Sequence, residues 1–572
     1  AGAGPTLAQW WEQMDHDYPG SNGYAPRAVY GRYLRFVLDA VVAGLPEQVR
    51  LRRVVASVED LIRIGTGSAR EYRLTLSSGE QLFADRVVLA TGHPTPELTG
   101  AQRELADFAK DRSHLRYVPG DSAADMPLGK IMAGSTVGVL GMGLSFYDVV
   151  ATLTTARGGR FVDDGAGGLR YEASGQEPLL VAGSRSGIPV PARGRNQKLA
   201  EYSYTPHLFT SERISALRKR HKQLDFRTHV LPWLLTEMQL VYCATAIRAG
   251  WTAEQDSALS LEAAELFTKA AVAWAGRSSQ PQRAVLAVAH RFGRTEMAAL
   301  DLEALSRPFA GQRFDGPDEA CGAVCAWITE DLRQAELGNV DGPLKAALDV
   351  LRDTRGVLRG AVDFAGLTPD SHQEFLAWFG PMASLLAAGP PRSRLYQTLA
   401  LVEAGILRIL GPGTRFGIDV ERDRFIAVST QVVGTPVALD VVVDARIPSP
   451  NLRHDPAPLV RRLREAGVLS SYLNTNAGGQ YDTGGVAVTP APFHPIAADG
   501  RCDDGLYAVG IPTEHTRWFT QVGSSRPGKW GEFMADADAI AAHALTAHAL
   551  TGTQTALLTT STGAERPLTK VS

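Results

Sequence analysis

The sequence predicts an α/β fold in which nucleotide-binding parallel sheets are interrupted by a large α-helical insertion. Three observations carry that reading. A short apolar strand runs into Gly141-Met142-Gly143 and on into an apolar helix. A hairpin leads to a wholly apolar strand that ends in Thr91-Gly92. Helical periodicity fills residues 199–410, after which β texture returns, as expected when an insertion divides one α/β body.

Composition narrows the class. Of 572 residues, 44% are apolar and 21% charged, the profile of a folded globular chain. Lys and Arg number 58 against 61 acidic residues, a net charge of −3, so neither sign dominates. That balance argues against nucleic acid or a membrane surface as partner, both of which call for a basic field. No run reaches the ~18–20 apolar residues that cross a bilayer. The opening AGAGPTLAQWW lacks the basic and apolar parts of a secretion signal. Four cysteines in so long a chain make no disulfide framework and fit a reducing cytoplasm. Cys321 and Cys325 lack the CxxC spacing of thiol–disulfide chemistry and are expected as two buried small residues on one helix face. The 13 histidines are scattered, and no Cys/His/Asp cluster has ligand spacing, so no metal is expected.

In chain order, residues 1–44 carry two Trp and a short helical stretch. From Val49 to Pro94, RRVVASVEDLIRI, EYRLTLSSG and QLFADRVVLATGHP are expected as strands joined by turns. This is the order of the β-meander that returns to the central sheet in two-dinucleotide-binding flavoproteins. It places Thr91-Gly92 at the carboxyl end of a strand, where ligands of open α/β sheets sit. At residues 135–153, Val137–Leu140 form a strand, Gly141 the tight turn, and Gly143 the point where a pyrophosphate approaches the helix start. The third glycine of the GxGxxG fingerprint is replaced by Phe146. The hairpin GGRFVDDGAGGLRYEASG and the strand EPLLVAGSRSG follow. Where an acidic residue would accept from a ribose hydroxyl stand Ser184 and Arg185, a pair suited to a 2′-phosphate, so NADPH is expected over NADH.

Leu344, Ala347, Leu348 and Leu351 then keep one helical face apolar, and Leu395–Leu410 is expected to be similar. β character resumes in RFIAVSTQVV and ALDVVVDARIP. The last strand, Gly505–Gly510, leads into IPTEHTRWFTQVGSSRPG and a helix over Glu532–Ala542. These units give an FAD-binding domain (1–133 and 450–550), an NADP-binding domain (134–198 and 411–449), a helical insertion or substrate domain (199–410) and a disordered tail (551–572).

The strings NGYAPRAVYGRYL, VVLATGHP, GMGLSFYDVV, GGLRYEASGQEPLLVAGSRSGIP, VVVDARIP and IPTEHTRWFTQVGSSRPG together resemble the bacterial FAD/NAD(P)-binding proteins. They are similar to flavin-dependent N-hydroxylating monooxygenases, among them those that make nitrosuccinate from L-aspartate. The resemblance implies FAD and NADPH as cofactors and O₂ with a small amine or amino acid as substrates. Oxygen would pass to the amine nitrogen through a C4a-hydroperoxyflavin. It implies cofactor contacts at Arg27, Tyr30, Thr91, Gly92, His93, Gly141, Gly143, Ser145, Ser184, Arg185, Gly510, Thr520 and Gln521. A base is needed to free the amine of its proton, for which His515 and His93 are candidates. Arg446 and Arg517 are the arginines expected to hold substrate carboxylates. The family begins with a strand and a GxGxxG loop for FAD, and AGAGPTLAQWW opens where that unit should have ended. The expectation is that the amino-terminal FAD-binding βαβ unit is missing, by truncation rather than loss of the flavin. Other readings of the same motifs are a silent NADP-binding scaffold and a flavin dehydrogenase that inserts no oxygen. A homo-oligomer is compatible with the sequence and not specified by it.

Overall fold

The computed structural model describes residues 4–20, 23–65, 71–199, 202–250, 257–520 and 532–552. At its centre lies a five-stranded parallel sheet. Its spatial order is Leu407–Ile409, Leu179–Gly183, Thr136–Leu140, Val441–Asp444 and Arg116–Val118. Val137, Val139, Val442 and Val443 are fully buried. A parallel sheet covered on both faces calls for such uninterrupted apolar runs. An antiparallel meander, Thr414–Asp419, Arg424–Ser429 and Val437–Leu439, packs on it. Gly138 of the middle strand makes room for the Leu439 and Phe416 side chains of that meander.

A second, smaller unit holds the other predicted strand tip. Val87–Leu89 pairs in parallel with Leu506–Ala508 and follows the meander Val58–Ile64, Glu71–Leu76 and Gln81–Ala84. The first of these strands starts at Val58, later than expected from Arg52. Over the preceding stretch Arg52 and Arg53 turn to Glu80 and Asp39, and Val55 is fully exposed, with no sheet face to cover it. The helix before the carboxyl terminus spans Glu532–Gly552, longer than expected. Of the tail predicted to be disordered, residues 553–572 lie outside the described residues.

The insertion is helical from Ser211 to Glu403. In helix Pro343–Asp353 the predicted face is the packed one: Ala347, Leu348 and Leu351 are buried, with Leu344 against them. The expected continuation of helix to Leu410 is corrected. The helix ends at Glu403, Gly405 takes a left-handed φ of +72° as a chain-reversing cap, and Leu407–Ile409 pairs with Leu180–Ala182 at the sheet edge. The stretch Phe226–Ala249 has the length and hydropathy of a membrane span, yet 56% of its apolar window is buried between two cores. Inside it the buried Glu237 carboxylate accepts from Tyr204 Oη and from the amides of His207, Leu208 and Phe209. It is a core helix.

Cys321 is buried and Cys325 half-buried on helix Pro317–Glu336, both reduced. Gly138→Val would drive a side chain to 2.6 Å from Leu439 Cδ1 and 2.7 Å from Phe416 Cε1. Overpacking of this kind is expected to cost about 1–3 kcal/mol, seen as a lower melting temperature. An unchanged melting temperature would mean that the meander does not pack as described.

Candidate active site

The first expected nucleotide site is the GxG turn. Strand Thr136–Leu140 ends at Gly141, whose φ of +95° favours glycine, and a Cβ there would stand 2.7 Å from Arg446 Cγ. Gly143 precedes helix Leu144–Leu153, and a Cβ on it would meet nothing within 4 Å. Nothing in the chain therefore blocks approach to the start of that ten-residue helix from the side where a Gly143 Cβ would project, and a helix start favours phosphate. Ser145 is buried in the first turn. Phe146, in place of the third glycine, is fully buried with its ring 5.1 Å from that of Tyr147, so the helix packs through an aromatic rather than by close approach.

Beside the turn, strand Val441–Asp444 ends in a carboxylate with no solvent exposure. Arg446 donates to both Asp444 oxygens at 2.7 Å, and the Gln102 amide donates to Oδ2 at 2.9 Å. The hydrogen bonds to Asp444 hold the Arg446 guanidinium above its ordinary pKa. Burial, and then the Asp444 charge, push the Tyr117 phenol well up, so it stays a neutral neighbour.

Arg446 also lines a cavity of about 650 Å³ with Gln102, Ser449, Asn451, Tyr481 and His515. Pro450 and Asn451 belong equally to a narrow apolar crevice lined by Leu89, Thr91, Gly92, Ala508 and Pro512, at the tips of the two strands of the smaller unit. Gly92 and Gly510 there have φ of +74° and +77°, and a Cβ on either would meet nothing within 4 Å. The carboxyl ends of the two sheets thus open toward one another across Pro450–Asn451. Backbone that bulky groups can approach at both ends is what two dinucleotides need.

His515 projects from the loop after Gly510 with a left-handed φ of +76°. Its Nε2 lies 3.0 Å from Ser449 Oγ, while Nδ1 is buried with no hydrogen-bond partner. Burial lowers its pKa against the opposing pull of the Glu514 carboxylate, so the neutral, proton-accepting imidazole is favoured. His93 is exposed and lines neither cavity. Arg517, expected at substrate carboxylates, instead forms a buried pair with Asp536 at 2.6 and 3.2 Å and lies outside both linings.

Arg185 is exposed and makes no ion pair with any described residue. Its carbonyl accepts from Gly413 N at 3.1 Å, which fixes the loop that presents it. The Ser184 hydroxyl accepts from Gly187 N and meets Ser186 Oγ, shaping that loop from within. Arg27 forks onto Asp148 of the nucleotide helix at 3.1 and 3.0 Å, and Tyr30 is half-buried one turn further along helix Arg27–Ala43. Thr520 donates its hydroxyl to Glu514, and Gln521 lies outside the described residues.

Several residues of the insertion that carry no motif grip this loop. Asp363 accepts from Trp518 N at 2.8 Å, Arg359 donates to the Trp518 and Phe519 carbonyls at 2.9 and 2.8 Å, and Phe364 N donates to Thr516 O. Burial pushes the Asp363 carboxyl up to about 7. Their only sequence signal is the four-residue spacing of Arg359 and Asp363, the latter just past the end of helix Arg355–Val362, which any surface pair could show.

A profile of the FAD-NAD(P)-binding family matches residues 1–94. Over 567 residues the chain is 37% identical to the L-aspartate N-monooxygenase (nitrosuccinate-forming) of Streptomyces davaonensis, covering 95% of this chain and 84% of that protein. It is 36% identical to the nitrosuccinic acid synthase of Aspergillus oryzae, with 95% and 80% covered. It is also 36% identical to the L-aspartate N-monooxygenase (nitrosuccinate-forming) of Streptomyces cremeus, with 94% and 82% covered.

Because Gly143 borders open space at an ordinary φ, Gly143→Val is expected to leave the melting temperature unchanged while abolishing reduction of bound flavin by NADPH. Flavin lost together with nicotinamide reactivity would mean that the two nucleotide units are interchanged.

Proposed function

The chain belongs to the FAD-NAD(P)-binding family of these N-monooxygenases, and we propose that it uses FAD and NADPH to oxidise the amine nitrogen of L-aspartate with O₂. The observation that carries the reading is a cavity beyond the carboxyl end of strand Val441–Asp444, walled by Arg446 and His515, that shares Pro450 and Asn451 with the crevice at the tips of the smaller unit. Bound flavin supplies the hydride and oxygen chemistry. The chain supplies binding, orientation and the handling of one proton.

The Gly143 amide, at the start of helix Leu144–Leu153, is offered to the NADPH pyrophosphate, and Arg185 offers a guanidinium fork to its 2′-phosphate. Gly92 and Gly510 let the other nucleotide lie against the strand tips. An amino acid's ammonium is charged at neutral pH and has no lone pair to give. His515, which lines the cavity with its Nε2 bonded to Ser449, takes that proton. Leu376, Ala377, Ile447 and Pro448 make part of the cavity wall apolar, which limits the water that would divert the oxygen to peroxide.

Purified protein supplied with FAD, NADPH and air is expected to consume NADPH faster when L-aspartate is added and to yield an N-oxidised C4 diacid by mass spectrometry. NADPH consumption indifferent to L-aspartate, with hydrogen peroxide as sole product, would contradict the reading. Arg185→Ala is expected to raise the KM for NADPH at least about tenfold, in line with the loss of a charge-assisted bond, and to leave that for NADH nearly unchanged. An equal effect on both would remove the 2′-phosphate assignment.

A further inference from the structure

A second histidine stands one layer behind the cavity wall, and nothing so far gives it a role. His372 lies on helix Pro369–Glu374 beside Gln373, which lines the cavity. It is 1% exposed, and its ring meets that of Tyr481, another lining residue, edge-on at 5.7 Å. His515 lies within electrostatic reach of it.

The surroundings of His372 decide where its hydrogen sits. Asn474 Nδ2 donates to the Leu367 carbonyl at 3.0 Å, and its Oδ1 accepts from Gln223 Nε2 at 2.9 Å. Gln223 Nε2 also donates to the Ala365 carbonyl, and its Oε1 accepts from Asn476 Nδ2. Two backbone carbonyls thus fix which end of each amide is the nitrogen. His372 Nδ1, 3.2 Å from that same Asn474 nitrogen, is therefore an acceptor, and the neutral ring carries its hydrogen on Nε2. Nε2 is buried and has no hydrogen-bond partner among the described residues, and the same is true of His515 Nδ1. Burial, and then the neighbouring His515, pull His372 down to about 4, so it is neutral wherever an enzyme works. With Nδ1 filled and Nε2 bearing hydrogen, it has no lone pair to give.

The other charged and titratable groups around His515 do not supply an acceptor for Nδ1 either. Glu514 pulls the imidazole toward protonation, but its oxygens take the Phe519 and Thr520 amides. Asp363, which takes the Trp518 amide, holds the same loop. Glu97, Arg446, His454 and Tyr481 line the cavity and so face the outer side of the ring. We propose that His372 is a positioning residue for His515, held by Asn474 with its hydrogen on Nε2, so that the buried side of the base meets a donor and the base stays free of a proton until substrate arrives. An apolar residue would also withhold an acceptor, but only a donor opposes a second N–H. The inference rests on the monooxygenase reading, which makes His515 the base.

NMR of the full chain carrying 15N-histidine tests the pair without turnover, with His372→Phe and His515→Phe assigning the signals. His372 is expected to stay neutral with its hydrogen on Nε2 from about pH 5 to 9. Asn474→Asp puts an acceptor at Nδ1, moves the hydrogen there and leaves Nε2 able to accept. It is expected to raise the midpoint of the His515 titration by about one pH unit. The acid limb of kcat/KM for L-aspartate should move up with it, because the base works only unprotonated. In His372→Phe/Asn474→Asp the effect of the new carboxylate should vanish relative to His372→Phe alone. A wild-type His372 with its hydrogen on Nδ1, or charged at neutral pH, overturns the proposal by itself, whether or not the variants fold. An unmoved His515 in Asn474→Asp overturns it too, as does a rise that persists without His372. The predicted titrations in a chain that never oxidises L-aspartate would instead refute the monooxygenase reading and leave the histidine pair standing.

Discussion

A carboxylate with no access to solvent, closed by an arginine two residues further along, organises the centre of this molecule. Asp444 ends a buried parallel strand, and a charge there is tolerated only because Arg446 forks onto both oxygens and Gln102 adds a third donor. The pair fixes where the Arg446 stem runs, which is directly over Gly141, so that position must lack a side chain. The same guanidinium, half-exposed on its outer side, becomes a wall of the cavity. One ion pair therefore links the packing of a sheet, the shape of the GxG turn and the charge of a cavity wall.

The loop from Gly510 to Thr520 is the opposite wall, and it is rigid by construction. Seven non-glycine residues with left-handed φ occur among the described residues, and Phe364, Ala365, Phe493, His515 and Phe519 are five of them. Four of the five lie in or against this loop: His515 and Phe519 belong to it, Phe364 N bonds Thr516, and Arg517 stacks on the Phe493 ring at 4.4 Å. Strain of this kind persists only where the surroundings over-determine it, and it gathers at functional sites. Here Glu514 takes the Phe519 and Thr520 amides, Asp363 takes that of Trp518, and Arg517 locks to Asp536. The insertion thereby sets the position of a loop that begins more than a hundred residues after it ends.

Much of this could be read in the sequence because it is local. A strand, two glycines and a helix within twenty residues, or a hairpin followed by an apolar strand and Thr91-Gly92, are patterns whose meaning depends on nearest neighbours in the chain. The strands Val87–Leu89 and Leu506–Ala508 were each legible for that reason, whereas their parallel pairing across some four hundred residues was not. Reading failed where partners are distant and unpatterned. Leu407–Ile409 has the composition of the helix before it, and only the glycine cap and a free sheet edge turn it into a strand. Arg517 looked like a substrate ligand because nothing nearby announces Asp536.

In the proposed enzyme, nicotinamide and flavin meet at the cavity between Arg446 and His515. Anaerobic rapid mixing of the flavin-loaded protein with NADPH, followed by absorbance near ~450 nm, checks this. Complete bleaching of the bound flavin in the absence of any amine substrate is the predicted result. NADPH that binds tightly yet leaves the flavin oxidised would contradict it, because the two sheet ends would then hold their ligands out of reach of each other.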